Sequence, residues 1–121
     1  MSSQLDLLVV GSVALDTVET QVTTRTDVLG GSASFFSAAS SFLTSVGLVA
    51  VVGDDFPDEH TQLLVRLGVD TQGIERRSGQ TFRWHGRYSD DFNKRTSLDT
   101  QLNVFAGFEP KVVCKSSQWD F

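Results

Sequence analysis

Two short, uninterrupted apolar runs bracket a stretch of small, hydroxylated and aromatic residues in the first half of this chain. Residues 5–10 hold Leu5, Leu7, Leu8, Val9 and Val10 with only Asp6 intruding, and Gly11 closes the run. Such a run suits the central strand of a parallel sheet covered on both faces. Residues 11–16 then leave the strand, which puts Asp16 just beyond its carboxyl end, where ligands collect in open α/β sheets. Residues 17–24, rich in Thr and Val, read as an exposed strand with one wet face. Gly30 and Gly31 turn the chain into a helix expected over residues 32–45. Phe35, Ala38, Ala39, Phe42 and Val46 recur there at helical spacing as a core-facing stripe, with Gly47 as the C-cap. Residues 48–52 form a second apolar strand closed by Gly53, so strand, helix and strand make a parallel βαβ unit.

The second half is less regular. Acidic residues 54–59 around Pro57 start a helix that runs to about Leu67, with Leu63, Leu64 and Leu67 inward and Gly68 ending it. Residues 69–73 are turn-rich, and residues 74–77 suit a short strand. Residues 81–88 alternate cleanly: Phe82, Trp84, Gly86 and Tyr88 share one face, and Thr81, Arg83, His85 and Arg87 the wet other face of an antiparallel strand. Residues 98–106 show no clear period, though 102–106 are compatible with a strand. From Lys111 onward no organised pattern remains. The fold class is α/β, a parallel core with a small antiparallel β layer.

Composition narrows the chemistry. The chain has 121 residues and a formal net charge of −5, so it holds one domain at most and offers no clustered basic surface for nucleic acid or an anionic membrane. One cysteine, Cys114, permits neither an internal disulfide nor a cysteine zinc cage. No apolar run is long enough to span a bilayer, and the expected location is the cytoplasm. Asp54, Asp55, Asp58 and Glu59 read as first-turn acids favoured by a helix dipole. Asp90 and Asp91 read as a solvated turn, and His60 and His85 lack metal-ligand spacing. Only Gly11 fits a dinucleotide fingerprint, so no NAD site is expected.

The order of features resembles the ribokinase-like (PfkB) carbohydrate kinases. The resemblance covers residues 5–110 and rests on four pieces. These are Gly11 to Asp16 after the first strand, Gly30-Gly31 opening a small-residue helix, Val51-Val52-Gly53-Asp54-Asp55, and Leu67-Gly68-Val69-Asp70-Thr71. It implies phosphoryl transfer from ATP, with Mg, to a hydroxyl of a sugar or nucleoside. It implies that Asp16 binds substrate hydroxyls, that Gly30, Gly31 and Ser32 form the substrate-facing turn, and that residues 17–24 and 81–88 belong to a lid. Phe82 or Trp84 would then pack over the sugar or across a partner lid in a homodimer. Two departures matter for the substrate: Ser34-Phe35-Phe36 and Ala14 stand where the family places asparagines, so ribose-type recognition is not implied.

A third departure concerns catalysis. The family's catalytic Asp-Thr-x-Gly-Ala-Gly-Asp motif, which forms the anion hole for the transferring phosphate, does not occur in these 121 residues. Asp70-Thr71-Gln72-Gly73 imitates only its first four residues. The expectation is therefore an N-terminal substrate-binding and lid portion over residues 1–110 with a divergent tail over 111–121. It would have no catalytic residue, no metal site, no nucleotide held by these residues and no turnover by itself. The alternative is a non-catalytic chain that associates or aggregates through an exposed sheet edge.

Overall fold

The computed structural model describes residues 5–110. In chain order these form strands β1 (Leu7–Val10), β2 (Ala14–Glu19) and β3 (Thr24–Gly30), helix α1 (Ser32–Ser40), and strand β4 (Val46–Val52). Helix α2 (Asp58–Arg66), strands β5 (Val69–Arg76), β6 (Phe82–Tyr88) and β7 (Arg95–Gln101), and a 3₁₀ turn (Asn103–Gly107) follow. They make two sheets: a parallel three-stranded one in the order β1-β4-β5, and a mixed four-stranded one in the order β3-β2-β6-β7. The tail at residues 111–121 lies outside the described residues.

β4 is the core strand. All seven of its residues are buried, yet period two still sorts them. Val46, Leu48, Ala50 and Val52 meet Ala33 of α1, Leu64 of α2 and Val13 and Leu15 from the start of the second sheet, while Val49 meets Leu5, Leu8 and Phe108 on the other face. Each such valine or leucine contributes roughly 1.5–3 kcal/mol by leaving water. β1, expected at the centre, is instead an edge strand among the described residues, and Val10 is 46% exposed. An apolar run signals two covered faces, but it does not say which strand has neighbours on both sides.

Helix α1 departs most from its pattern. It ends at Ser40, five residues before the expected end, and the buried face is Ala33, Ser34 and Ser37, whereas Phe35 and Phe42 are 64% and 75% exposed. The helix lies so close to the turn after β1 that a Cβ at Gly11 would come within 3.3 Å of the Ala33 methyl group. Small residues face inward because nothing larger fits, and the phenylalanines are turned out. Ser40 Oγ and Ser41 Oγ donate to the Phe36 and Ala38 carbonyl oxygens at 2.6 and 2.7 Å, the local competition that ends serine-rich helices. Gly47 is no helix cap; it lies inside β4.

α2 matches its signals better. Pro57 precedes it, Asp58 and Glu59 occupy its first turn, and Gly68 follows its end at φ +97°. Leu64 is fully buried, Leu67 half-buried and Leu63 exposed. Residues 69–73, expected as turn, are strand: β5 pairs with β4 from Val69 onward, across a bulge opposite residues 47–49. Pairing with a buried strand overrides a turn-rich composition.

The second sheet also corrects the reading. Residues 17–24 are not one strand: β2 ends at Glu19, a turn closed by Thr20 N–H donating to the Thr23 carbonyl at 2.8 Å follows, and β3 runs back antiparallel to Gly30. β6 is parallel to β2 and antiparallel to β7, so it is not purely antiparallel. Residues 98–106 divide into the end of β7 and the 3₁₀ turn.

Candidate functional site

Alternation along β2 and β6 sends one set of side chains into a cleft of about 440 Å³ between the second sheet and the start of α1. β2 supplies Ala14, Asp16 and Val18, and β6 supplies Phe82, Trp84 and Tyr88. Ser12, Gly31, Ser32 and Phe35 line it from the turn after β1 and from α1, and Arg95 from β7. Five of the residues singled out in the sequence, Asp16, Gly31, Ser32, Phe82 and Trp84, thus face one space. Gly30 is not among the lining residues.

Asp16 lies within β2, not beyond the end of β1, as register partner of Val28 on one side and Trp84 on the other. Its carboxylate folds across the strand pair onto Gly30: a Cβ there would come within 2.2 Å of Oδ2. The Oδ1 oxygen is sealed from solvent and has no hydrogen-bond partner among the described residues. Burial pushes the Asp16 carboxyl up from 3.8 to about 6. A charged acceptor left in this state is costly, and a hydroxyl donor brought to it relieves the cost.

Gly31 serves a different contact. It precedes α1 at φ +96°, and a Cβ there would meet the Ser12 carbonyl oxygen at 2.4 Å. That approach lets Ser12 cap the helix: its Oγ accepts from Ser32 N–H at 3.0 Å and its carbonyl from Ala33 N–H at 3.0 Å. Ser12 Oγ also lies 3.1 Å from Ser32 Oγ. The first amide donors of α1 are therefore taken, which leaves a pair of hydroxyls rather than an anion cradle. No group of three or more His, Cys, Asp or Glu able to hold a metal occurs among the described residues.

Behind the cleft, an ionic strut that sequence reading missed ties the two sheets together. Asp55, in the loop after β4, accepts from Thr81 N–H at 2.9 Å and Thr81 Oγ at 2.6 Å through Oδ1, and from Arg83 Nη2 at 2.8 Å through Oδ2. Arg83 Nη1 reaches Asp27 at 2.5 Å, and Thr81 Oγ accepts from Gly53 N–H at 2.9 Å. Burial works to raise the Asp55 pKa, but the hydrogen bonds from Thr81 and Arg83 outweigh it and hold the carboxyl below its usual range. Asp54, whose Oδ2 accepts from Gly79 N–H at 3.3 Å, also belongs to this junction. The expected first-turn role holds for Asp58 and Glu59 only, and the available signal was the Val51-Val52-Gly53-Asp54-Asp55 piece, which puts both acids just past a buried strand.

The face expected to be wet is likewise committed. His85 and Arg87 both engage Glu19, and the hydrogen bond from His85 is the main cause lowering the Glu19 pKa. His60 Nε2 contacts the Asp27 carbonyl at 2.9 Å. Asp91 sits in an exposed turn, accepting from Ser89 and Asn93. No helix among the described residues is long and apolar enough to cross a membrane.

Comparison with known proteins gives this geometry a setting. No protein-family model matches the chain. A cytidine kinase from Thermococcus kodakarensis is 33% identical over 88 residues, covering 72% of this chain and 31% of that protein. The crystal structure of a ribokinase from Cryptococcus neoformans in complex with ADP superposes at a TM-score of 0.70 with 20% identity, over 85% of this chain and 35% of that one. A Burkholderia thailandensis nucleoside kinase in complex with inosine does so at 0.67 with 16% identity, over 80% and 35%. The chain thus spans about a third of the length of the kinases it matches. With its two sheets, the intervening helix and the motifs in this order, the chain carries the ribokinase-like (PfkB) fold of the amino-terminal portion of these kinases.

Proposed function

We propose that these residues are the substrate-binding and lid portion of an ATP-dependent carbohydrate kinase whose acceptor is a hydroxyl of a sugar or nucleoside. The observation that carries this reading is Asp16: a half-buried carboxylate, raised by burial, that lines a cleft which also presents the Ser12 and Ser32 hydroxyls and aromatic side chains. A carboxylate that accepts from polyol hydroxyls, beside hydroxyls and aromatic faces, is the chemistry of carbohydrate recognition. The portion comprises residues 1–110, Asp16, Gly31 and Ser32 contact the substrate, Gly30 lets the carboxylate lie down, and Phe82 and Trp84 belong to the lid. ATP and Mg are held by residues other than those described. Calorimetric titration with a panel of sugars and nucleosides tests the site: binding is expected in the millimolar range or tighter and is lost in Asp16→Ala. Equal binding by both proteins would refute the assignment. In a coupled ADP-release assay these 121 residues are expected to show no turnover, and turnover above background would refute that part.

A second reading, self-association, is favoured by the apolar groups that stand in solvent. Phe42 and Leu43 at the end of α1 are 75% and 88% exposed, and every residue of β7 at the edge of the lid sheet is exposed. Pairing of lid strands between two copies would cover β7. Sedimentation velocity decides it: a single monomeric species up to high micromolar concentration would exclude a homodimer.

A further inference from the structure

Trp84 is held in a way that lining a sugar site does not require. Gly86, two residues on and on the same face of β6, would place a Cβ only 2.0 Å from the indole Cη2 and 2.2 Å from Cζ2. The six-membered ring therefore lies along the strand over Gly86, in space that any other residue would occupy. On β7, Ser97 is the register partner of Gly86 and Arg95 that of Tyr88. Trp84 Nε1–H donates to Ser97 Oγ at 3.0 Å, and the Arg95 guanidinium carbon lies 5.4 Å from the ring centroid. Among the described residues no ion pair engages Arg95. The indole is thus supported on backbone and fixed at its N–H edge, and its outer face is capped by the Arg95 guanidinium, which must lift away before a ring can stack there.

The placement relative to Asp16 gives the platform a use. Asp16 and Trp84 are register partners on adjacent strands. From there the indole runs toward Gly86, about 6–7 Å further along β6 at the rise of a strand. A sugar whose hydroxyls meet Asp16 would therefore carry a substituent at one of its carbons over the indole face. Flat aromatic surfaces backed by arginine accept planar heteroaromatic rings, which stack on the ring and offer acceptors to the guanidinium.

We infer that Trp84, laid flat over Gly86 and anchored by Ser97, is a stacking subsite for a planar heteroaromatic ring attached to the sugar, with Arg95 closing over that ring. The inference rests on the carbohydrate site proposed above and narrows its substrate to nucleosides. Gly86 and Ser97 are positioning residues that act through Trp84.

The test uses the 121-residue chain with Trp119→Phe, which leaves Trp84 as the sole tryptophan. Cytidine, uridine, adenosine, inosine and methyl β-ribofuranoside are titrated by indole fluorescence and by calorimetry. At least one nucleoside is expected to quench Trp84 and to bind roughly 5- to 150-fold more tightly than the methyl riboside, the range of base–aromatic stacking. In Gly86→Ala, and more mildly in Ser97→Ala, that ratio is expected to fall toward one. Circular dichroism checks that both remain folded, and Ser97→Ala alone decides if Gly86→Ala does not fold. Nucleosides and methyl riboside binding equally, both lost in Asp16→Asn, would overturn this inference and leave the carbohydrate site standing. A nucleoside preference that survives in a folded Gly86→Ala, or in Ser97→Ala where Gly86→Ala does not fold, would also overturn it. Binding of none of the five would overturn both.

Discussion

Replacing Asp16 by Asn is expected to stabilise the protein at neutral pH while abolishing carbohydrate binding. Burial raises the folded-state carboxyl from 3.8 to about 6, so the native protein holds a proton there that the unfolded chain has already lost. A raised carboxyl is a cost of folding. It is absent below about pH 4, grows as pH rises through the interval between the two values, and is complete above about 6. At 1.36 kcal/mol per pH unit the gap corresponds to about 3 kcal/mol at most, and screening of a half-buried group reduces this to about 1–2 kcal/mol. Asn keeps the shape and removes the charge. Urea denaturation of both proteins at pH 3, 4.5, 5.5, 6.5 and 7.5 reads the effect: the difference between variant and wild type should be smallest at pH 3, reach about a third of its full size by pH 4.5 and plateau above pH 6.5. Taking the difference cancels Asp55, Glu19 and Asp91, whose lowered values act in the opposite sense at more acid pH. A difference that is flat with pH, or an Asn variant less stable at pH 7.5, would refute the buried-charge argument.

Two further substitutions probe the supports of the cleft. Gly31→Ala combines a left-handed φ of +96° with a contact of 2.4 Å to the Ser12 carbonyl, so a loss of about 1–3 kcal/mol is expected in thermal unfolding, along with weaker ligand binding. An alanine variant as stable as wild type would show that the turn is not under this constraint. Asp55→Asn removes the charge and turns one of the two acceptor oxygens, Oδ1 for Thr81 or Oδ2 for Arg83, into an amide donor, and is expected to cost about 1–3 kcal/mol at pH 7. Because a lowered carboxyl contributes stability that is present above the unfolded value and lost as pH falls toward the folded one, the cost should shrink below about pH 4, where Asp55 of the unfolded chain takes up a proton that the folded carboxylate still resists. A cost unchanged between pH 7 and pH 3 would show that charge has no part in the strut.

The sequence by itself determined the class of fold, the run of buried β4, the second helix with its proline start and glycine end, and the alternating faces of β6. Each of these is a local pattern with a periodicity and a stop signal, so it survives translation into three dimensions. It also singled out Asp16 and the double glycine by their places after the first strand and before the helix, and Phe82 and Trp84 by the alternation of β6, with the resemblance to a kinase family giving them a role. Only the tertiary structure decided which partners each element meets. The apolar run before Gly11 became an edge strand, and the phenylalanines of α1 turned outward because the helix approaches the sheet too closely for them. A turn-rich segment became β5 because pairing with a fully buried strand outweighs local preference. Likewise the acids after β4 serve an arginine and a threonine far along the chain. The two glycines show the division most clearly. Their presence was plain in the sequence, but that Gly30 makes room for the Asp16 carboxylate and Gly31 for the Ser12 carbonyl depends on residues fourteen and nineteen positions away, brought within contact only when β2 and β3 pair.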